Sequence, residues 1–258
     1  MKKLIDTHVH LYDKKFKSDL NLVVERAKKA GISKVVLPAI DSTYYHSMID
    51  TASNLKGFAY ICTGLHPTSV KENWKEELNF VKEQSSSNNY IAIGEIGIDA
   101  YWSKEFIKEQ VTVFEEQLKI ASNNGLPVII HSRDATSIIL DSLKRCKHLN
   151  LRGVFHAFSG SYETYKEILK LGDFMVGIGG VITFKNSKLQ EVVEKIELNN
   201  ILLETDAPWL TPAPYRGKRN EPAYLDFIAS KIAQVKNVSI DEVASLTTEN
   251  AKKLFTFV

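Results

Sequence analysis

The stretch IDTHVH, near the amino end, places His8 and His10 one residue apart with Asp6 just ahead of them. Neutral imidazole is a frequent ligand for divalent ions, and side chains at i and i+2 of a strand share one face. An HxH pair alone is a weak signal. The chain adds to it, because His66, Glu95, His131, His156 and Asp206 each follow an apolar run that would otherwise have no use for a polar residue. Four histidines (His8, His10, His131, His156) and two carboxylates (Glu95, Asp206) exceed the roughly three protein ligands plus water of a single catalytic zinc. They suit two divalent ions roughly 3.5 to 4 Å apart, of zinc, magnesium or manganese, with Glu95 as the bridging carboxylate. The chemistry expected of such a pair is hydrolysis by a metal-activated hydroxide. In that chemistry Glu95 and Asp206 act as the catalytic carboxylates, and Asp206 takes up a proton for delivery to the leaving group. Asp6 has two readings, as an acceptor that orients a ligand histidine or as a hydrogen bond that closes the first strand.

The positioning of these residues follows from the runs that precede them. Eight short apolar segments recur: LIDTHVHL, KVVLPAI, AYICTGLHP, YIAIGEIGID, PVIIHSRD, RGVFHAFSG, DFMVGIGGVI and ILLETDAP. Their spacing of roughly 25 to 35 residues is that of a strand, a helix and two loops. Between the fourth and fifth, Phe106, Val113, Phe114, Leu118 and Ile120 keep helical spacing. Buried strands alternating with amphipathic helices predict an α/β fold with a parallel sheet, and eight units close most economically into a (β/α)8 TIM barrel, a single domain over residues 1–258. An open doubly wound sheet would call for a glycine-rich turn after the first strand, which is lacking. In a barrel all the strand-end residues converge on the C-terminal mouth. His46 and His148 fall in helical or loop segments and are expected at the surface. EQSSSNNY (83–90) reads as a polar loop, and the segment beyond Asp206 as a proline-rich loop before terminal helices.

Composition narrows the function classes. The 258 residues carry a formal charge of +2, which is too small for a global field directed at nucleic acid. The hydrophobic share of 44% supports a large core. Cys62 and Cys146 form no paired motif and suit a reducing compartment. The apolar run at the amino end is interrupted by Asp6, His8 and His10, so it does not read as a signal peptide, and no run approaches the roughly 20 residues of a membrane span. A cytoplasmic protein without membrane partner or organic cofactor is expected; no feature of the sequence specifies an oligomeric partner.

The motifs DTHVHL, GLHP, GEIGID, PVIIHSRDA, FHAFSGS, GIGGVITFKN, LLETDAPWLTP, YRGKRNEP and TENAKKLF run through the whole chain and resemble those of the TatD-like metal-dependent deoxyribonucleases of the amidohydrolase superfamily. The resemblance implies a barrel with two divalent cations. Carried over by position, His8, His10, Glu95 and Asp206 would hold one ion, and Glu95, His131 and His156 the other. Ala100, Thr68 and Ala157 depart from common family residues, and none is an expected ligand. The implied substrate is DNA, trimmed at phosphodiester bonds in exonuclease fashion. Tyr215, Arg216 and Lys218 on the proline-rich loop are candidates for base and phosphate contact, as are His66 and Arg133 beside the centre. Arg219 reads equally well as part of a solvated, ion-paired turn, and Trp102 and Trp209 as rim caps or stacking platforms. Two alternatives are carried forward: the same centre acting on another ester or amide, such as D-aminoacyl-tRNA or a small molecule, and a silent binding protein.

Overall fold

Each of the eight apolar runs forms a parallel strand: β1 (Leu4–Asp6), β2 (Ile32–Leu37), β3 (Ala59–Thr63), β4 (Tyr90–Asp99), β5 (Val128–Arg133), β6 (Arg152–Phe155), β7 (Asp173–Ile178) and β8 (Ile201–Leu203). They pair in sequence order, β1 to β8, in a computed structural model that describes residues 3–86 and 90–257. Helices α1 (Leu20–Lys29), α2 (Tyr45–Asn54), α3 (Trp74–Ser85), α4 (Ile107–Asn123), α5 (Thr136–Arg145), α6 (Tyr162–Leu169), α7 (Leu189–Lys195) and α8 (Leu225–Lys236) follow the strands in turn, and α9 (Ile240–Leu254) ends the chain. This is the expected (β/α)8 barrel. The segment 83–90 divides differently from the expected loop: Glu83 to Ser85 complete α3, Ser86 is a turn, Tyr90 begins β4, and 87–89 lie outside the described residues.

Side-chain alternation along the strands builds two apolar layers. Ile5, Val36, Cys62, Ala92, Ile129, Val154, Met175 and Leu202, one from each strand, fill the barrel interior together with Leu254 and Phe255. Arg152, the first residue of β6, donates to the Leu254 carbonyl, which holds the end of α9 across the N-terminal opening. The neighbouring strand positions, including Leu4, Val35, Ile93, Ile96, Ile130 and Leu203, pack outward against the helices. Because this packing seals the N-terminal end, access to the interior is from the C-terminal mouth.

The seam between β1 and β8 is irregular. Among the described residues only Val9 and Ala207 form a β-bridge there, supported by the bonds Thr7 N–H to Leu203 O (3.0 Å), Asp206 N–H to His8 O (2.9 Å) and His10 N–H to Ala207 O (2.8 Å). Asp6 fastens this seam. It is fully buried and accepts from Thr205 N–H (2.9 Å), Thr205 Oγ1 (2.6 Å) and His8 N–H (3.3 Å), so of its two readings the structure gives the strand-closing one.

Candidate metal centre

Three different backbone devices bring the ligand-type side chains to the mouth. The simplest is alternation. Ile129 and Val154 face the interior, so His131 and His156, two residues on, face the same way; by the same parity Cys62 leads to His66, which caps the short helical turn Pro67–Ser69. The second device is a bulge. On β4, Ile93, Ile96 and Ile98 all point outward, and the register shifts between Ile93 and Ile96. The extra residue turns Glu95 inward from the middle of the strand, where strict alternation from Ala92 would have sent it out. The third is a bend. β1 stops at Asp6, and strict alternation from the outward Leu4 would put His8 and His10 against the helices; the bend at Thr7 and His8 swings both into the mouth instead. The expected HxH strand face is thus realised by a turn in the backbone. At β8 the chain leaves the strand after Leu203, and Asp206 takes a left-handed conformation (φ 55), held by its own N–H bond to His8 O and by Trp209 N–H bonding to its carbonyl (2.8 Å).

These devices converge on Glu95. Its Oε1 lies 2.8 Å from His131 Nδ1 and 3.3 Å from both His66 Nε2 and His156 Nε2. Its Oε2 lies 3.0 Å from His8 Nε2 and 3.8 Å from His10 Nε2. Asp206 Oδ1 faces the same pair, 3.7 Å from His8 and 3.6 Å from His10. His8 and His156 stack with ring centroids 3.5 Å apart. The interior members, His8, His10, Glu95 and His156, are buried; His66, His131 and Asp206 keep 14%, 16% and 14% of their side chains exposed.

The arrangement fits divalent cations. His8 Nε2 and His10 Nε2 approach to 3.2 Å while both also face carboxylate oxygens, a convergence of lone-pair donors that a cation between them satisfies. The ligand atoms of His8, His10 and Glu95 lie within 4.8 Å of one another, as do those of His66, Glu95 and His131. Electrostatics agree. Burial alone would raise the Glu95 carboxyl, but His156, His8 and His66 and the His131 hydrogen bond hold it well below the usual range. Asp206 is lowered in the same way, with burial outweighed by the His10 hydrogen bond and the neighbouring imidazoles. Burial also lowers His8 and His66, favouring the neutral rings that metals require, whereas the carboxylates beside His131 and His156 outweigh burial and raise those rings.

Two carboxylates that the sequence reading did not include stand behind the imidazoles. Glu204 Oε1 lies 3.1 Å from His156 Nδ1 and accepts from Ala157 N–H (2.5 Å). Asp99 Oδ2 lies 3.0 Å from His131 Nε2. Such acceptors fix the rotation of a ligand imidazole and raise its basicity. Both were legible from parity: Glu204 follows the inward Leu202 by two, and Asp99 follows Glu95 by four. His10 Nδ1 bonds the Tyr12 hydroxyl (2.8 Å), which in turn donates to Pro38 O. Gly177 serves the same shell, since a Cβ there would stand 2.1 Å from Glu204 Oε2.

The expected substrate residues divide. His66 joins the cluster. Arg133, exposed at the end of β5, lays its guanidinium 3.8 Å from the Tyr101 ring and 5.2 Å from Trp102. Tyr215, Arg216 and Lys218 lie on the loop after β8 and meet aromatic rings. One face of Tyr215 is taken by Tyr224 (4.5 Å, stacked), Lys218 lies over Tyr215, and Arg216 lies over Phe184 at 4.1 Å. Arg219 is an anchor, paired with Asp19 through two 2.7 Å bonds. Trp209 packs edge-on against His10 with centroids 4.9 Å apart. His46 and His148 are exposed, as expected. No helix among the described residues is long and apolar enough to cross a membrane.

Comparison with known proteins agrees with this architecture. The family model described as TatD related DNase matches residues 5–256. The uncharacterized metal-dependent hydrolase YabD of Bacillus subtilis is 40% identical over 253 residues, covering 98% of each chain. YcfH of Escherichia coli, also an uncharacterized metal-dependent hydrolase, is 31% identical over 256 residues, covering 98% of this chain and 95% of its own. Among solved structures, the TatD homolog YjjV of Escherichia coli superposes with a TM-score of 0.91 at 30% identity, covering 98% of this chain and 97% of its own. A barrel whose mouth gathers five imidazoles about one buried carboxylate, matched by these relatives along its whole length, belongs to the TatD family of metal-dependent hydrolases.

Proposed function

We propose that the chain is a deoxyribonuclease that hydrolyses DNA phosphodiester bonds at a two-cation centre. Support comes chiefly from Glu95, whose two oxygens face different sets of imidazoles, as a bridging carboxylate requires. His8, His10 and Asp206 with Glu95 Oε2 would hold one ion; His131 and His156 with Glu95 Oε1 would hold the other. Zinc, magnesium or manganese suits this imidazole and carboxylate set. Bound divalent ions supply Lewis-acid polarisation of the scissile ester and a water acidified toward neutral pH.

The chain's own residues do the rest. Asp206 is ionised and partly exposed, so the oxygen turned away from His8 and His10 is available to take a proton and return it to the leaving oxygen. His66 Nδ1 accepts from Thr68 N–H (3.2 Å), so the neutral ring carries its proton on Nε2, beside Glu95, where it donates to a phosphate oxygen. Arg133, with no carboxylate in ion-pair range among the described residues, is the nearby fixed cation for a phosphate.

The test uses purified protein supplemented in turn with zinc, magnesium and manganese against 3′-labelled single- and double-stranded DNA, RNA and D-aminoacyl-tRNA. Release of nucleotides from DNA that is lost in Glu95→Ala is the expected result. Cleavage of aminoacyl-tRNA or a small ester with DNA left whole would transfer the same centre to that substrate. DNA loss that persists in Glu95→Ala would overturn the assignment of the site.

A further inference from the structure

A cleft of about 260 Å³ opens beside the metal centre, between the loop after β3 and the loop after β4. Its walls include Pro67, Val70, Trp102 and Phe106, with Asp99 and Gln110 among its polar groups. None of the metal chemistry uses it. Three observations point to what it takes.

The first is Gln110. The residue is 4% exposed, and its Oε1 accepts from Asp99 N–H at 2.9 Å, which fixes the amide orientation because a backbone N–H can only donate. Its Nε2 therefore carries the donors, and they have no hydrogen-bond partner among the described residues. An amide donor on the wall of a cleft is available to an acceptor on the ligand. The second is Trp102, 69% exposed at the rim, with Arg133 5.2 Å from its ring. An exposed indole and an unpaired guanidinium together form a stacking face with a phosphate contact at its edge. The third is charge. Glu72, Glu105 and Asp99 outnumber Lys71 around the cleft, which disfavours an anion within it. A neutral, flat ring with acceptor atoms fits it, with a phosphate outside near Arg133. The volume is below that of a pocket for a drug-sized ligand and suits a single ring system.

The cleft is mechanically joined to the centre. Asp99 Oδ2 meets His131, while its Oδ1 accepts from Tyr101 N–H (3.0 Å) and Trp102 N–H (3.1 Å). One carboxylate thus sets both a candidate ligand imidazole and the loop that carries the indole.

We propose that this cleft is a base-binding subsite for the nucleotide flanking the scissile bond, with Trp102 as its stacking face and Gln110 Nε2 as the donor to a base carbonyl or ring nitrogen. The proposal rests on the nuclease reading above, and its test separates the two. Calorimetry on the metal-loaded protein compares thymidine 3′- and 5′-monophosphate with deoxyribose 5-phosphate, which lacks the base. The tighter nucleotide is expected to bind about tenfold better than the sugar phosphate, within the range of base–aromatic stacking. Trp102→Ala is expected to lose most of that difference, and Trp102→Phe to keep more of it. Equal binding by the unaltered protein, or a preference undiminished in Trp102→Ala, overturns the subsite. A Trp102-dependent preference in a protein that cleaves no DNA upholds the subsite and removes the nuclease reading. DNA cleavage that is indifferent both to an abasic site beside the scissile bond and to Trp102→Ala removes the subsite and leaves the nuclease reading standing.

Discussion

Glu204 and Asp99 govern how well two of the imidazoles serve as ligands, since Asp99 Oδ2 hydrogen-bonds His131 and the Glu204 carboxylate stands 3.1 Å from His156 Nδ1. Glu204→Gln keeps the shape and removes the charge. It is expected to lower metal affinity by about 10- to 100-fold with the fold unchanged, as chelator competition and circular dichroism would read; unaltered affinity would mean that Glu204 only packs. A pH effect follows from the same contact. Burial pulls His156 toward the neutral form, but Glu204 and Glu95 outweigh it and raise the ring from its ordinary 6.5 to about 10. The metal-free ring is therefore charged at pH 7, whereas a ligand imidazole must be neutral. Metal binding at pH 7 should release at least one proton, and affinity should climb with pH until it levels above about 10. Titration calorimetry in buffers of different ionisation enthalpy measures that release, and a binding heat independent of buffer would contradict it.

At the scale of elements, the seam between β1 and β8 and the packing of β7 on β8 hold the centre in place. Burial pushes the Asp6 carboxyl up to about 8, against the opposing pull of the Thr205 bonds, so near neutral pH much of it is uncharged. An amide can make equivalent contacts. Asp6→Asn is expected to change stability by less than about 1 kcal/mol, and Asp6→Ala to cost about 1–3 kcal/mol through orphaned donors at Thr205 and His8, measured by denaturant unfolding. Equal losses in the two variants would mean that the charge itself closes the seam. Gly177→Ala drives a methyl into Glu204 and should mimic Glu204→Gln in metal content while β7 stays paired. A normal metal content in that variant would show that Glu204 has another position available.

For the whole molecule, the expected cations bind only the folded state, because their ligands come from five strands or strand ends between residues 8 and 206. At a hundredfold excess over Kd, such binding adds about 2.7 kcal/mol. Chelation should then lower Tm by roughly 5–10 °C while the barrel stays folded, since the apolar layers do not involve the centre. Collapse of the far-ultraviolet spectrum on chelation would instead make the cations part of the fold. Much of this was legible in the linear chain. Strand periodicity and segment spacing determined an eight-unit barrel, and polar residues at the ends of apolar runs named the members of the cluster, because burial of apolar area and alternation along a strand are local properties of sequence. Tertiary structure alone decided the rest. The bulge that turns Glu95 inward, the bend that carries His8 and His10 into the mouth, the paired duties of Asp99 and the ring partners of Arg133, Arg216 and Lys218 all depend on backbone register between strands distant in sequence. Register is set by hydrogen bonds and packing from both neighbours at once, and no single segment encodes it.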